Sequence, residues 1–307
     1  MYYNSDTIIF LDGEFVKAAG AKIDLYSQSL HYGYSVFEGI RSYRTENGHT
    51  RIFKEVEHFV RLKRSAEAVN IPLNFSVDEM IDATYVVLER NQLQNAYIRP
   101  VVFLPANMTF NKNAESHFVI TAWKMAPFLG DKLLRVMTSS FQRPNPKAFK
   151  IQAKAAGHYV NSIMASHEAK DKGFDEALLK DMNDFVAEGP GANMFFEKDG
   201  KLFTPALGHI LPGITRATVI ELCRELGIPV QEGQYTIEEL KQADSAFFCG
   251  TAAEIIGWES LDDTVFPLAW NDSLGKILQD AYSDLVKGIS IKNQKAKIKN
   301  EDRAVAF

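Results

Sequence analysis

Residues 35–69 read SVFEGIRSYRTENGHTRIFKEVEHFVRLKRSAEAV, and the hydrophobic period changes within that run. Up to Phe53 the pattern alternates around Asn47-Gly48. That dipeptide tolerates the positive φ angles of a tight turn, so the segment reads as a β-hairpin. From Val56 to Val69, Phe59, Leu62, Ala66 and Val69 recur at spacings of three and four, which is one face of a helix. Hairpins alternating with helices in this way define an α+β fold.

The same alternation extends on both sides. TIIFLDGEFVK (7–17) turns at Asp12-Gly13, and Ser76 with Glu79 forms an S-x-x-E capping box that opens a second helix reaching about Asn91. AYIRPVVFLP (96–105) and HFVITAWKM (117–125) read as strands, and MAPFLGDK (125–132) reads as a linker. At 307 residues the chain is long for one core. Two domains are expected: 1–130, a smaller N-terminal α+β domain, and 131–307, a larger C-terminal one.

In the second half, strand LLRVMTSS precedes the loop QRPNPKAFK, and a helix over His158–Lys172 ends at the C-cap glycine Gly173. Strands follow at EALLKD, FVAEG and NMFFEKDGKLFTP, the last turning at Asp199-Gly200. A break at Pro212-Gly213 leads into a helix from about Thr215, whose first N–H groups suit an anion. An ordinary capped helix has the same appearance. After a short helix at IEELKQA, strand SAFFCG enters GTAAE, a last helix covers LGKILQDAYSDLVKGI, and a charged tail follows that is expected to be mobile.

Composition narrows the function. A net charge of −5 and no evident basic face argue against a nucleic-acid partner. No apolar run reaches membrane-spanning length, and acidic residues interrupt the N-terminal segment where a signal peptide would be apolar. A cytoplasmic protein is expected. Cys223 and Cys249 lack metal-ligand spacing, so no metal site is expected and both read as reduced, buried thiols.

Two residues stand out chemically. Lys154 lies among Ala153, Ala155, Ala156 and Gly157, small neighbours that let another molecule approach the backbone. Desolvation there would favour the neutral amine that carbonyl chemistry needs. Glu188, in FVAEGPGANMFF, has no cation nearby in sequence, so a positive partner is expected from elsewhere. The ordinary alternatives are a solvated lysine and a turn carboxylate. For Arg61, Lys63 and Arg64 the default is a solvated basic face, and for Tyr32, Tyr34 and Phe37 it is core packing.

Taken together, HYGYSVFEGIR, YIRP, AKAAGHYVNS, EGPGANMFF, LPGITR and GTAAE resemble the class IV pyridoxal-phosphate aminotransferases, most closely those acting on branched-chain amino acids. The resemblance runs from about residue 7 to 290 and implies the two-domain fold type IV, similar to D-amino acid aminotransferase, with the cofactor at the domain interface. It implies that Lys154 bonds the aldehyde of pyridoxal 5'-phosphate, that Tyr159 holds its phenolic oxygen, and that Glu188 faces its ring nitrogen. Arg61, Ile214, Thr215 and Thr251 then match phosphate contacts. Tyr97 and Arg99 match pocket residues, Arg99 suiting a glutamate carboxylate. Phe37 and Gly39 would supply apolar wall, and Thr251 with Ala252 would hold the substrate α-carboxylate. Tyr32 lies in a segment that reaches a neighbouring subunit in the family, which implies a homodimer.

The implied reaction moves the amino group of a branched-chain L-amino acid to 2-oxoglutarate by a ping-pong cycle. Tyr34, the loop 107–113 and the EIIGWES stretch after GTAA depart from the family pattern near the pocket. Alternatives on the same fold are a D-amino acid or (R)-amine aminotransferase and aminodeoxychorismate lyase; a noncatalytic binding protein is the alternative of another class.

Overall fold

The computed structural model describes residues 2–125, 129–130 and 132–290. Residues 126–128 and 131 of the expected linker, and the expected mobile tail from 291, lie outside the described residues. Two compact units interleave along the chain: Met1–Arg44, Gly48–Ala126 and Lys147–Val160 form one, while Thr45–Asn47, Pro127–Pro146 and Asn161–Phe307 form the other. The segment carrying Lys154 therefore clusters with the N-terminal elements.

The first unit contains β1 (Ile8–Leu11), β2 (Glu14–Lys17), α1 (Gln28–Tyr32), β3 (Val36–Phe37), β4 (Ile40–Arg44), β5 (Thr50–Ile52), α2 (Glu55–Ala68), α3 (Val77–Arg90), β6 (Ala96–Phe103) and β7 (His117–Trp123). Among the described residues its strands form an antiparallel seven-stranded sheet in the order β2-β1-β7-β6-β4-β5, with β3 on β6. Asp12 takes φ 50° and Gly13 φ 98°, the positive angles that their turn demands. Ser76 and Glu79 make both bonds of the capping box. α2 and α3 bury Phe59, Leu62, Met80 and Val87 against Ile40, Ile98 and Phe118 of the sheet, giving each helix its packed stripe. In this unit helix α1 is an element that the sequence pattern did not announce.

The second unit contains β8 (Leu134–Gln142), α4 (Tyr159–Asp171), β9 (Glu176–Lys180), β10 (Val186–Glu188), β11 (Asn193–Lys198), β12 (Lys201–Pro205), α5 (Ile214–Leu226), β13 (Val230–Gly233), α6 (Ile237–Lys241), β14 (Ser245–Gly250), β15 (Glu254–Leu261), β16 (Thr264–Val265) and α7 (Leu274–Val286), the first residues of α4 clustering with the other unit. Among the described residues a nine-stranded mixed sheet runs β10-β9-β8-β15-β14-β11-β12-β13, with β16 on β15. Its central strands are buried along nearly their whole length, which is why they read as continuous apolar runs rather than as alternation. Cys223 and Cys249 are buried free thiols, and burial pushes the Cys223 thiol up to about 12. Around EIIGWES, Gly257 on β15 and Gly275 on α7 face the same indole: a Cβ built on either would lie 2.5 Å from Trp270. No helix among the described residues is long and apolar enough to cross a membrane.

Candidate active site

In the first unit, residues 154–157 lie along the chain at residues 33–37. Phe37 N–H donates to the Lys154 carbonyl at 3.1 Å, Ala156 N–H donates to the Ser35 carbonyl at 2.9 Å, and Val36 bridges Ala155 antiparallel. Ser65 on α2 accepts the Lys154 N–H at 3.0 Å. Gly33 and Gly157 allow the two backbones to cross, since a Cβ on Gly33 would meet the Gly157 Cα at 3.1 Å. Gly157, among the small residues after Lys154, thus serves close backbone packing.

The Lys154 amine donates to the Tyr159 hydroxyl at 2.7 Å. It also lies 5.2 Å from the Phe37 ring centroid and 5.3 Å from that of Tyr159, two rings in edge contact with centroids 4.8 Å apart. Arg99 stacks over Phe37 at 4.5 Å and donates to the Tyr97 hydroxyl at 3.0 Å, while its Nε is buried without a hydrogen-bond partner. Gly39 is required beneath that hydroxyl, because a Cβ there would sit 2.0 Å from Tyr97 Oη. Lys154, Tyr159, Phe37, Gly39, Tyr97 and Arg99 are therefore linked by direct contacts. Tyr32 is half exposed, with its hydroxyl toward the Met108 carbonyl at 3.5 Å.

Arg61 corrects the solvated-face reading. Its Nε and Nη2 donate to the two carboxylate oxygens of Glu38 at 2.6 and 2.8 Å, and Glu38 also meets His58 Nδ1 at 2.8 Å. Burial opposes the charge on Glu38, but the Arg61 guanidinium and then His58 outweigh it and hold its carboxyl well below the usual range. Burial pulls His58 down, and Glu38 only partly compensates. Glu38 and His58 escaped the sequence reading. The signal was present in His58 and Arg61, two basic groups one helical turn apart beside an apolar stripe.

In the second unit, Glu188 closes β10 with its side chain buried. Its cation is Arg143, from the loop before Lys154: Nε lies 2.9 Å from Glu188 Oε1. That nitrogen has no aligned acceptor, so Nε supplies charge at close range without a directed hydrogen bond. Asn193 Nδ2 donates to Glu188 Oε2 at 2.9 Å and to the Leu211 carbonyl at 3.0 Å, and Leu211 N–H donates back to the carboxylate at 3.1 Å. Gly213 presses against Asn193, where a Cβ would meet Oδ1 at 1.9 Å, and it begins α5 without a side-chain cap. Ile214 and Thr215 thus open a helix of 13 residues beside the anchored carboxylate, with the positive dipole end facing out of the turn. Thr251 and Ala252 lie in the turn between β14 and β15.

In the first unit the Lys154 amine thus has a phenol as its partner, and in the second a buried, anchored carboxylate lies beside an uncapped helix start. The family model for Amino-transferase class IV matches residues 35–261. A branched-chain-amino-acid aminotransferase of Pseudomonas aeruginosa is 39% identical over 289 residues, covering 92% of this chain and 94% of that protein. Two solved structures are similar. A branched-chain amino acid aminotransferase of Escherichia coli superposes with a TM-score of 0.89 at 37% identity, covering 92% of this chain and 95% of the other. One of Thermobaculum terrenum, in its PLP-bound holo form, gives 0.88 at 32%, covering 94% and 97%. The chain belongs to the class IV aminotransferases and, within them, to the family of the branched-chain-amino-acid aminotransferases. It is an enzyme with the fold type IV architecture.

Proposed function

We propose that this enzyme moves the amino group of leucine, isoleucine or valine, as the L-enantiomer, to 2-oxoglutarate in a ping-pong cycle, with pyridoxal 5'-phosphate as cofactor. The observation that carries the reading is the Lys154 amine, which among the described residues has a phenol rather than a carboxylate as its hydrogen-bond partner. A phenol, unlike a carboxylate, makes no salt bridge that must be broken before the nitrogen reacts.

The residues fit the cofactor by their chemistry. Lys154 would hold its aldehyde, Tyr159 its phenolic oxygen and Glu188 its ring nitrogen. Arg61, Ile214, Thr215 and Thr251 would hold its phosphate. Bound there, the cofactor supplies an electron-withdrawing ring that weakens the substrate Cα–H bond. The Lys154 amine, once displaced by substrate, takes the Cα proton as general base. Arg143, Asn193 and the Leu211 N–H hold Glu188 in place, so the carboxyl group needs no reorganisation when it is used.

Phe37 and Gly39 would line the aliphatic side-chain pocket, Tyr97 and Arg99 would receive the carboxylate of glutamate, and Thr251 with Ala252 the α-carboxylate. A homodimer completed by Tyr32, a cytoplasmic location and a domain division near residue 130 belong to the same reading. The test is a donor panel with 2-oxoglutarate, containing both enantiomers of leucine and of alanine, beside an assay of pyruvate from aminodeoxychorismate. Glutamate formation from L-leucine is expected; preference for D-alanine, or pyruvate release from aminodeoxychorismate, would replace the proposal with one of the alternatives.

A further inference from the structure

We propose that Glu38 is a positioning residue for the cofactor phosphate, holding Arg61 in a fixed plane and tying that grip to the substrate wall at Phe37 and Gly39. The inference rests on the reading of Arg61 as a phosphate contact. Glu38 is fully buried, and a carboxylate so placed must be matched by charge or leave the interior. Both of its oxygens are engaged by the Arg61 fork at 2.6 and 2.8 Å, a bidentate geometry that fixes the orientation of a planar guanidinium as well as neutralising it.

His58, one turn earlier on the same helix, closes the arrangement at 2.8 Å. The Glu38 N–H is bound in turn to the Pro100 carbonyl on β6, at 2.9 Å. Its sequence neighbours are Phe37, which carries the Arg99 and Lys154 contacts, and Gly39, which carries the Tyr97 hydroxyl. One carboxylate thus joins helix α2 to the strand residues that would enclose the substrate. A pin that served the fold alone would need no planar fork, because a lysine could match the charge.

The experiment uses the full-length chain and compares the dissociation constants of pyridoxal 5'-phosphate and of pyridoxal, which lacks the phosphate. Glu38→Gln is expected to weaken the phosphorylated form by about tenfold, or about 1.4 kcal/mol, while pyridoxal binds as before. Adding Arg61→Ala to Glu38→Gln should then cost little beyond Arg61→Ala alone, because the two residues act as one unit. Equal weakening of both compounds, or of neither, overturns the proposal. Should Glu38→Gln fail to fold, Glu38→Asp keeps the charge but draws the fork out of register. It is expected to lower the preference for the phosphorylated form, and an unchanged preference overturns the proposal just as firmly. The underlying reading fails separately: Arg61→Ala that leaves the preference for phosphate intact removes Arg61 from the phosphate site.

Discussion

Two buried glutamates, one in each unit, are paired with arginines in opposite manners. Glu38 gives both oxygens to the fork of Arg61 and takes His58 as well. Glu188 has the Nε of Arg143 alongside without an aligned N–H, and it accepts from the amide of Asn193 and the N–H of Leu211. Amides fix a carboxylate without cancelling it, whereas a bidentate guanidinium does both. In the proposed roles, the contrast separates a charge kept for chemistry from a charge committed to holding a neighbour.

The reference against which both glutamates are measured is Lys154→Ala, which is expected to lower turnover by roughly 10,000-fold. Steady-state assay checks it, and retained activity would take the chemistry away from both carboxylates. Next comes Glu188→Gln, expected to slow Cα deprotonation by about 100-fold or more and to lower stability too, because the buried Arg143 loses its countercharge; single-turnover rates with Cα-deuterated leucine measure the step. Glu38→Gln should lack that loss of rate in the cofactor-saturated enzyme while losing about 3–5 kcal/mol of stability by stranding a buried guanidinium, as denaturant unfolding would show. If the glutamine variants behave alike, the contrast is wrong.

Acid should sharpen it further. His58 has its folded-state value below 6.5, so the unfolded chain takes the proton first and stability declines as pH falls below 6.5. Glu38 is depressed below 4.5, so its contribution is complete above that value and is lost on further acidification. Melting temperature should therefore fall in two stages, and His58→Asn should remove the upper one. The smallest effect is expected at Ser76→Ala, on an exposed helix start, at about 1 kcal/mol from the lost cap; the same melts should show it with no change in pH dependence.

Features that depend on neighbours in sequence were legible. The turns at Asp12-Gly13 and Asp199-Gly200, the capping box at Ser76 and the helix start after Pro212-Gly213 all stand where the residues placed them. Lys154 could be singled out because its small neighbours are contiguous. Glu38 could not, since it lies in a short stretch between Phe37 and Gly39 and its partners come from a helix beyond the hairpin. Arg143 and Asn193 were hidden for the same reason: only pairing of strands and loops distant in sequence brings them to Glu188. The small residues at 155–157 were read as room for a ligand, while part of that room is filled by the backbone at Gly33.

The indole of Trp270 lies in a notch floored by Gly257 on one side and Gly275 on the other. A methyl group at either floor would evict the ring, so these three positions can drift only as a set. With three tryptophans in the whole chain, its fluorescence would then report, without any added dye, whether α7 is seated.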